Sequence, residues 1–514
     1  MVAENKHHLS GGWLYGVVLL SGASVMVLEL LGTRVIAPFY GTSLYVWSSL
    51  ISVTMVALAL GYFLGGRLAD LERPMALPGT LFGGGVLTLL VPFIAPSLLP
   101  LTNALGLRWG ALTSSLLLFL PGLTLLGMVG PQAIRLQVKK ITGVGVTAGN
   151  IYAISTLGSV AGTLLLGFFL FPRVGSRAIL LSTGGALVIL AGLLLIRLRV
   201  TSRFGRGAAS LLWISVLGMG IAAWVSHHRE PPHPGVAVLQ NEESLYGWVR
   251  VLDYEGKNLR ILATDASVIG AGDPRTGETR LDYQHVVNQI PRVYPWVKSV
   301  LLIGQGAGHI ASVLKATYGI DTDAIEIDPL VAKAAVDHFA FKPSGKTIIG
   351  DGRYEISRLK GPYDLIIHDC FTGGSEPTHL LTLEAFREVR ALLSKHGILA
   401  INTVGFYEDG RNKALASVSR TLEAVFPFQL TYRVLPGDDL SDFVILASGE
   451  PFEMSPDAPE IIRSTLRQMQ VPVDSKQGVL LTDDLNPYES FQVRKSERYR
   501  EMASEWLGFS MMVQ

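Results

Sequence analysis

The sequence predicts a fold in two parts: a multi-pass α-helical membrane domain of about seven spans, followed by an α/β domain that a small antiparallel β region precedes. Long apolar stretches occupy the first 228 residues. These residues contain fourteen Lys and Arg but four Asp and Glu, whereas the remaining residues carry a net charge of −9. From about residue 297 strand-like and helix-like patterns alternate, which is typical of an α/β fold.

The apolar stretches lie near 11–33, 44–66, 79–101, 109–131, 146–171, 177–197 and 207–226. A helix needs about 20 apolar residues to cross a bilayer, because its backbone polar groups find no water there. The mean hydropathy of +0.38 and the charged fraction of 17% are also too apolar for a purely soluble chain of 514 residues. We therefore expect the lipid bilayer as a partner and the cell membrane as the location.

Three domains are expected: a membrane domain (1–228), a linker with a small β domain (229–296) and a nucleoside-binding catalytic domain (297–514). The segment Glu230–Pro234 is polar and proline-rich, as in a stiff connector. Gly247–Asp265 has the pattern of an antiparallel meander. Beyond it, the short apolar strands 299–303, 323–327, 347–349 and 363–367 alternate with helix-like segments, which predicts a parallel sheet covered by helices.

A glycine-rich loop follows the first of these strands, with glycines at 304, 306 and 308. Such a loop lets backbone N–H groups approach a ligand at the start of a helix. Dinucleotide binding is the nearest alternative, but that motif usually has a third glycine where this chain has His309. The Gly-x-Gly-x-Gly form resembles the class I S-adenosylmethionine fold, which is Rossmann-like.

Acidic residues follow the next two strands. Glu326 ends the second strand, where a carboxylate can accept both ribose hydroxyls, and Asp328 comes two residues later. Asp351 and Gly352 follow the third strand, close to the expected adenine edge. Because open α/β sheets bind ligands at the carboxyl ends of their strands, this register predicts a nucleoside site.

The fourth strand leads to Asp369, opposite the glycine loop, where a group that acts on a second substrate is expected. Its neighbours Cys370 and His368 are interpreted as structural residues. The other histidines lack the spacing of metal ligands, so no metal is assigned.

With these residues the chain resembles the spermidine synthase (polyamine aminopropyltransferase) family, and specifically its membrane-anchored branch. The matching segments are 300–308, 325–328, 350–352, 363–369 and the pair Tyr283-Gln284. Features similar to the branch are 377–382, 481–487 and the helical segment 61–70. The resemblance covers most of the chain.

The resemblance implies transfer of an aminopropyl group from decarboxylated S-adenosylmethionine to a putrescine-like amine, with release of methylthioadenosine. Asp369 matches the proton acceptor, and Tyr283 and Gln284 match residues near the amine. The nucleoside-binding matches are Gly304, Gly306, Gly308, Glu326, Asp351 and Gly352. The donor is a co-substrate, so no tightly bound cofactor is expected. We expect no nucleic-acid partner, and assembly as a homodimer is left open.

The chain departs from the family pattern at three positions where the family has acids that hold ammonium groups. This chain has Ala307, Thr372 and His285 at these positions. Asp483, Asp484 and Glu376 are candidates to restore the negative charge, and they can equally be turn residues. Loss of the acids keeps open a reaction on intact S-adenosylmethionine: methyl or aminocarboxypropyl transfer, or elimination by a lyase. A transporter whose soluble domain senses a nucleoside is a further alternative.

The orientation in the membrane involves a conflict. Lys and Arg outside the seven spans favour the amino-terminal side, which places the amino terminus in the cytoplasm and the α/β domain outside. S-adenosyl donors are cytosolic metabolites, however. We therefore expect a cytoplasmic catalytic domain and a miscounted or re-entrant span.

Overall fold

The computed structural model describes residues 11–41, 43–71, 75–138, 143–171, 173–197, 235–265, 267–371, 374–408 and 410–507. The chain divides near residue 232 into two compact units. The predicted boundary at 228 and the predicted span 207–226 lie outside the described residues.

The first unit is helical. Its helices are α1 (Gly11–Tyr40), α2 (Leu44–Asp70), α3 (Ala76–Thr102), α4 (Gly106–Gly127), α5 (Val129–Gln137), α6 (Val144–Leu165) and α7 (Ser176–Arg197). Five helical segments are long and apolar enough to cross a membrane, and one of them, Ala76–Gln137, contains both α3 and α4. Six of the seven predicted spans thus coincide with helices.

Small residues allow α1 and α6 to pack closely. A Cβ atom added to Gly158 would lie 2.1 Å from the Leu19 carbonyl oxygen, and one added to Gly22 would lie 2.3 Å from that of Ser155. The side chain of Ser159 donates a hydrogen bond of 3.0 Å to the Gly22 carbonyl. Contact of this kind between backbones is typical of helices that associate in a membrane, where no hydrophobic effect drives them together.

The second unit begins with an antiparallel sheet of four strands, β1 (Val236–Glu243), β2 (Trp248–Tyr254), β3 (Leu259–Thr264) and β4 (Ser267–Gly272), in the order β1-β2-β3-β4. The helices α8 (Asp282–Asn288) and α9 (Ile290–Val293) follow. The predicted meander is therefore the centre of a larger sheet.

A seven-stranded sheet forms the rest of this unit. Its strands are β5 (Val300–Ile303), β6 (Thr322–Glu326), β7 (Thr347–Ile349), β8 (Tyr363–His368), β9 (Leu393–Phe406), β10 (Phe428–Arg433) and β11 (Leu440–Ser448). The order is β10-β11-β9-β8-β5-β6-β7. Strands β5 to β9 are parallel, β11 pairs antiparallel with β9, and β10 pairs antiparallel with β11.

Helices connect and cover these strands: α10 (His309–Tyr318), α11 (Pro329–His338), α12 (Gly352–Ile356), α13 (Leu383–Leu392), α14 (Lys413–Glu423), α15 (Glu460–Met469), α16 (Tyr488–Phe491) and α17 (Val493–Leu507). Alternate residues of β5 enter two different cores, with Leu302 on one face and Leu301 on the other. Burial on both faces explains the continuous apolar runs, and it confirms the predicted α/β fold class.

Candidate active site

A cavity of about 410 Å³ lies at the carboxyl ends of the parallel strands. Its walls come from the glycine loop, from the ends of β6, β7 and β8, from β4 and α8, from β9 and β11, and from α17. The lining contains eight carboxylic acids and one arginine, Arg280, whose guanidinium lies 3.1 Å from Asp273. The cavity therefore favours a cationic ligand.

The glycine loop forms the floor of one end of the cavity. Gly304 has a φ of +91°, and a Cβ atom at this position would lie 2.1 Å from the Asp369 carbonyl oxygen. Gly308, with φ +78°, begins α10 and leaves no room for a side chain beside the ring of Phe341. Both glycines are required by conformation and by contact, and Gly304 and Gly306 line the cavity.

Glu326 reaches from the end of β6 into this loop. One carboxylate oxygen accepts hydrogen bonds from the backbone N–H groups of Gln305 (3.1 Å) and Gly306 (3.2 Å), and the other from that of Asp328 (3.1 Å). Burial raises the pKa of Glu326 from 4.5 to about 7, although these hydrogen bonds act in the opposite direction. The carboxylate thus holds the loop and also lines the cavity.

Asp328 and Asp351 each cap a helix. Asp328 accepts from the N–H of Leu330 at the start of α11 and from the hydroxyl of Ser244. Asp351 accepts from the N–H of Tyr354 (3.0 Å), and its second oxygen lies 3.2 Å from the His379 ring. Asp328, Asp351 and Gly352 all line the cavity. The structure brings every predicted nucleoside-binding residue to one end of it, except that Gly308 lies below the surface as the first turn of α10 begins.

Asp369 follows β8 directly and lies next to Gly304 of the glycine loop. Its carboxylate faces the part of the cavity that α8 and β9 form. The Tyr283 hydroxyl donates to one of its oxygens (2.7 Å), and the Asn402 side-chain amide donates to the other (3.0 Å). Gln284 in turn donates to the Tyr283 hydroxyl (3.1 Å). Burial raises the pKa of Asp369 from 3.8 to about 6, against the effect of the two hydrogen bonds. A carboxylate with this pKa is suited to accept a proton near neutral pH.

Sequence reasoning missed Asp442, a second acid at this end. Asp442 on β11 pairs with Val404 on β9, two residues beyond Asn402, so the sheet register places it beside the amide that holds Asp369. Its pKa is raised from 3.8 to about 7, mainly by burial and next by the charge of Asp369. Within the described residues, no hydrogen bond or ion pair engages its carboxylate. No local motif marks Asp442, because its role depends on pairing between distant strands.

Three predicted substrate residues lie elsewhere. The structure leaves His285 exposed on α8 and outside the cavity lining. Asp483 is bound instead by the Arg353 guanidinium (3.1 Å) and the Thr382 hydroxyl (2.7 Å). Asp484 is an exposed turn residue. Asp483 and Asp484 therefore do not line the cavity, and the structure does not support the prediction that they restore negative charge there.

The departures from the family pattern have structural counterparts. Ala307 is 4% exposed and packs into the core cluster that includes Val251 and Leu262. Thr372 lies outside the described residues. Glu376 is buried away from the cavity, in an ion pair of 2.6 Å with Lys495. The cavity acids that could bind an ammonium group are thus Asp442 and its exposed neighbours Asp282 and Asp438.

The neighbours of Asp369 in the sequence, His368 and Cys370, have side chains whose pKa values disfavour the charged form. The Cys370 thiol donates to the Ile303 carbonyl (3.1 Å), and burial raises the pKa of this thiol. Burial lowers the pKa of His368 to about 4. A thiol that stays protonated is a poor nucleophile. Within the described ranges, no three His, Cys, Asp or Glu side chains are grouped as metal ligands.

No family model matches the chain. Over 256 residues it is 31% identical to an N-terminal histidine N-methyltransferase of Emericella nidulans, covering 44% of this chain and 45% of the relative. Over 115 residues it is 42% identical to a polyamine aminopropyltransferase of Vibrio vulnificus, covering 21% of this chain and 38% of the relative. The chain spans less than half of the length of either curated relative.

A probable polyamine aminopropyl transferase of Bifidobacterium longum is 25% identical over 187 residues. Among solved structures, a probable spermidine synthase from Corynebacterium glutamicum aligns with 47% of this chain and 97% of its own, at 15% identity and a TM-score of 0.38. The named activities of these curated relatives are those of transferases, and the chain is similar to both kinds.

Proposed function

We propose that this chain is a membrane-anchored transferase that moves the aminopropyl group of decarboxylated S-adenosylmethionine to an amine and releases methylthioadenosine. The observation that carries the proposal is the acid-lined cavity, in which Asp369 is held by Tyr283 and Asn402 next to the glycine loop. A donor without a carboxylate and a cationic acceptor both suit this charge.

In the proposed reaction the residues of the loop end, Glu326 and Asp351, hold the nucleoside. Asp369 takes a proton from the acceptor ammonium, and the neutral nitrogen then attacks the carbon next to the donor sulfur. The new C–N bond forms as the C–S bond breaks. The electron pair of the C–S bond returns to the sulfonium sulfur, which becomes a neutral thioether. The protein contributes alignment of the reactants, which can supply roughly 7–11 kcal/mol, and a positioned base.

The Asp442 carboxylate extends this chemistry. It faces the cavity beside Asp369 and has no partner within the described residues, so it can hold an ammonium group of the acceptor. This assignment explains how the site could keep its affinity for amines although Ala307 lies in the core and His285 lies outside the cavity.

Purified full-length protein, incubated with decarboxylated S-adenosylmethionine and 1,4-diaminobutane, should release methylthioadenosine and an aminopropylated amine, both identified by mass spectrometry. Asp369→Asn should abolish product while donor binding persists. Release of S-adenosylhomocysteine from intact S-adenosylmethionine, with no turnover of the decarboxylated donor, would contradict the proposal.

That contrary outcome is our second candidate, methyl transfer to an amine from intact S-adenosylmethionine. Two observations favour it: no acid side chain of the glycine loop faces the donor site, since Ala307 packs into the core, and the fungal relative is a methyltransferase by name. The same base, Asp369, would serve because both reactions are displacements at carbon next to a sulfonium. Supplying an amine acceptor with each donor in parallel separates the two.

The membrane location forms part of the proposal and rests on the five long apolar helical segments. We propose a multi-pass protein of the cell membrane, with a cytoplasmic catalytic domain where S-adenosyl donors are available. Protease added to intact cells should leave an epitope at the carboxyl terminus uncut, and cleavage of that epitope would reverse the proposed orientation.

A further inference from the structure

The helix α17 forms one wall of the cavity, although no motif in its sequence suggested this. Tyr499, Met502 and Ala503 line the cavity from this helix. The Tyr499 hydroxyl accepts a hydrogen bond of 3.3 Å from the Val268 N–H at β4. The position of α17 therefore affects the shape of the site.

A buried ion pair attaches α17 to the loop that follows Asp369. The Lys495 ammonium lies 2.6 Å from Glu376, and the two side chains are 1% and 0% exposed. The second oxygen of Glu376 accepts hydrogen bonds from the Thr403 hydroxyl (3.0 Å) and the Val404 N–H (2.9 Å). Glu376 thus connects α17, the β8–α13 loop and β9. Breaking a buried pair on one side leaves an uncompensated charge, which is strongly unfavourable.

The pair is connected through β9 to Asp369 and Asp442, the two acids proposed to act on the acceptor amine. Val404, which donates to Glu376, is the partner of Asp442 in the sheet, and Asn402 two residues earlier holds Asp369. Neither Glu376 nor Lys495 is among the described residues that line the cavity. Both therefore act on the site through other residues and not by touching the substrate.

Lys495 is a cation whose charge acts on Asp442. Within the described part of the chain, the charged or titratable groups that act on Asp442 from the elements around it are Asp369 (directly after β8), Asp282 and Tyr283 (α8), Glu376 (the β8–α13 loop), and Tyr499 and Lys495 (α17). Lys495 lowers the pKa of Asp442, and Glu376 raises it. The two members of the pair therefore have opposite effects on the pKa of Asp442.

We propose that Lys495 is a positioning residue of the transfer reaction: its ammonium pairs with Glu376 behind β9 and so keeps the negative charge of Asp442 available to the cationic acceptor. This inference rests on the proposed function. Without Lys495, the charge of Glu376 would oppose the ionisation of Asp442. That ionisation would then require a higher pH, and the acceptor ammonium would lose its carboxylate partner near neutral pH.

The test compares kcat/KM against pH for Lys495→Met, Glu376→Gln and the double variant, using the full chain in detergent. Lys495→Met should move the acid limb of the profile upward by about 1 pH unit, since a nearby charge changes a pKa by that order. Glu376→Gln removes a negative charge and leaves the ammonium, so it should move the limb downward. The double variant should return close to the wild-type limb.

Two controls accompany the series. Lys495→Arg keeps the charge and should keep the wild-type limb. Lys413→Met removes an exposed lysine of α14, whose ammonium lies over the Phe491 ring, and should change nothing. A merely structural role predicts lower activity in both single variants without opposite shifts of the limb.

Shifts of the same sign in the two single variants, or no shift in either, would overturn the inference. If Lys495→Met does not fold, the double variant and Lys495→Arg decide, because neither leaves an unpaired charge in the interior. If the wild type turns over no donor, the proposed function has failed. The ionisation of Asp442 is then followed through the unfolding temperature, which needs no substrate. Because burial raises the pKa of Asp442 above 3.8, stability falls as the pH rises to that pKa, and the same order of variants is expected.

Discussion

The carboxylates of the cavity differ between its proposed nucleoside end, at the glycine loop and β6, and its proposed acceptor end, at α8, β9 and β11. At the nucleoside end, Glu326, Asp328 and Asp351 each accept hydrogen bonds from backbone N–H groups, so these acids fix loops and helix ends. At the acceptor end, Asp369 is held by side chains, and Asp442 makes no such bond within the described residues. Glu326, Asp328 and Asp351 therefore shape the site, whereas Asp369 and Asp442 keep negative charge available for a ligand.

The largest effect is expected at the acceptor end, from Asp369→Asn. Removal of the proton acceptor should lower kcat by about 10³-fold, within the usual range for a general base. Donor affinity should remain, since the nucleoside end is intact. Single-turnover kinetics and equilibrium donor binding separate the two quantities. Asp337→Asn, an exposed change on α11, serves as the control; equal loss of kcat in both variants would contradict the assignment.

The corresponding change at the nucleoside end is Gly304→Ala. The added Cβ atom would lie 2.1 Å from the Asp369 carbonyl oxygen at a φ of +91°, so the loop must move. We expect donor affinity to fall about 100-fold, because the N–H groups of a displaced loop no longer meet the ligand.

The matched control is Gly319→Ala, which has a similar φ of +70° but no atom within 4 Å of the added group. It should cost about 1 kcal/mol of stability through backbone strain and leave donor binding unchanged. Isothermal titration with the donor measures both variants. Equal donor affinity in the two would show that the close approach to Asp369 has no functional importance.

Asp442→Asn examines the charge at the acceptor end without removing the base. Loss of a desolvated partner of an ammonium group costs about 2–5 kcal/mol, so KM for a diamine should rise about 30-fold or more. The acid limb of kcat/KM should also move to lower pH, because the charges of Asp369 and Asp442 oppose each other's ionisation and one of them is gone. Asp439→Asn, at an exposed residue paired with Arg411, is the control. An unchanged KM would remove Asp442 from the site.

The smallest effect is expected from Glu326→Gln. The amide oxygen can still accept from the N–H groups of Gln305 and Gly306, but the amide nitrogen cannot accept from that of Asp328. One charge-assisted hydrogen bond is thus lost, and donor affinity should fall about tenfold. Because the folded protein raises the pKa of Glu326 from 4.5 to about 7, wild-type stability falls as the pH rises between these values. The variant should lose this part of the pH dependence, which thermal unfolding from pH 4 to pH 8 would reveal.

The fold was largely predictable because its signals are local. The strands at 300–303, 322–326, 347–349 and 363–368 lie within a few residues of their predicted positions, since each is a short apolar run bounded by polar turns. The grouping of the glycine loop, Glu326 and Asp351 at one cavity was predictable for the same reason, because each lies at the end of a strand in the sequence. Asp442 and Asn402 were not predictable in this way, because a polar residue within a strand has no local sign of the residue it will face.

The sequence by itself determined the apolar helices, the alternation of strands and helices, and the residues that end each parallel strand, because these follow from periodicity and from neighbours along the chain. Tertiary structure decided the acceptor end. Pairing of β9 with β11 brings Asp442 beside Asp369, Arg353 holds Asp483 away from the cavity, and Lys495 neutralises Glu376 in the interior. Charges act through space, so their partners depend on contacts that no local pattern records.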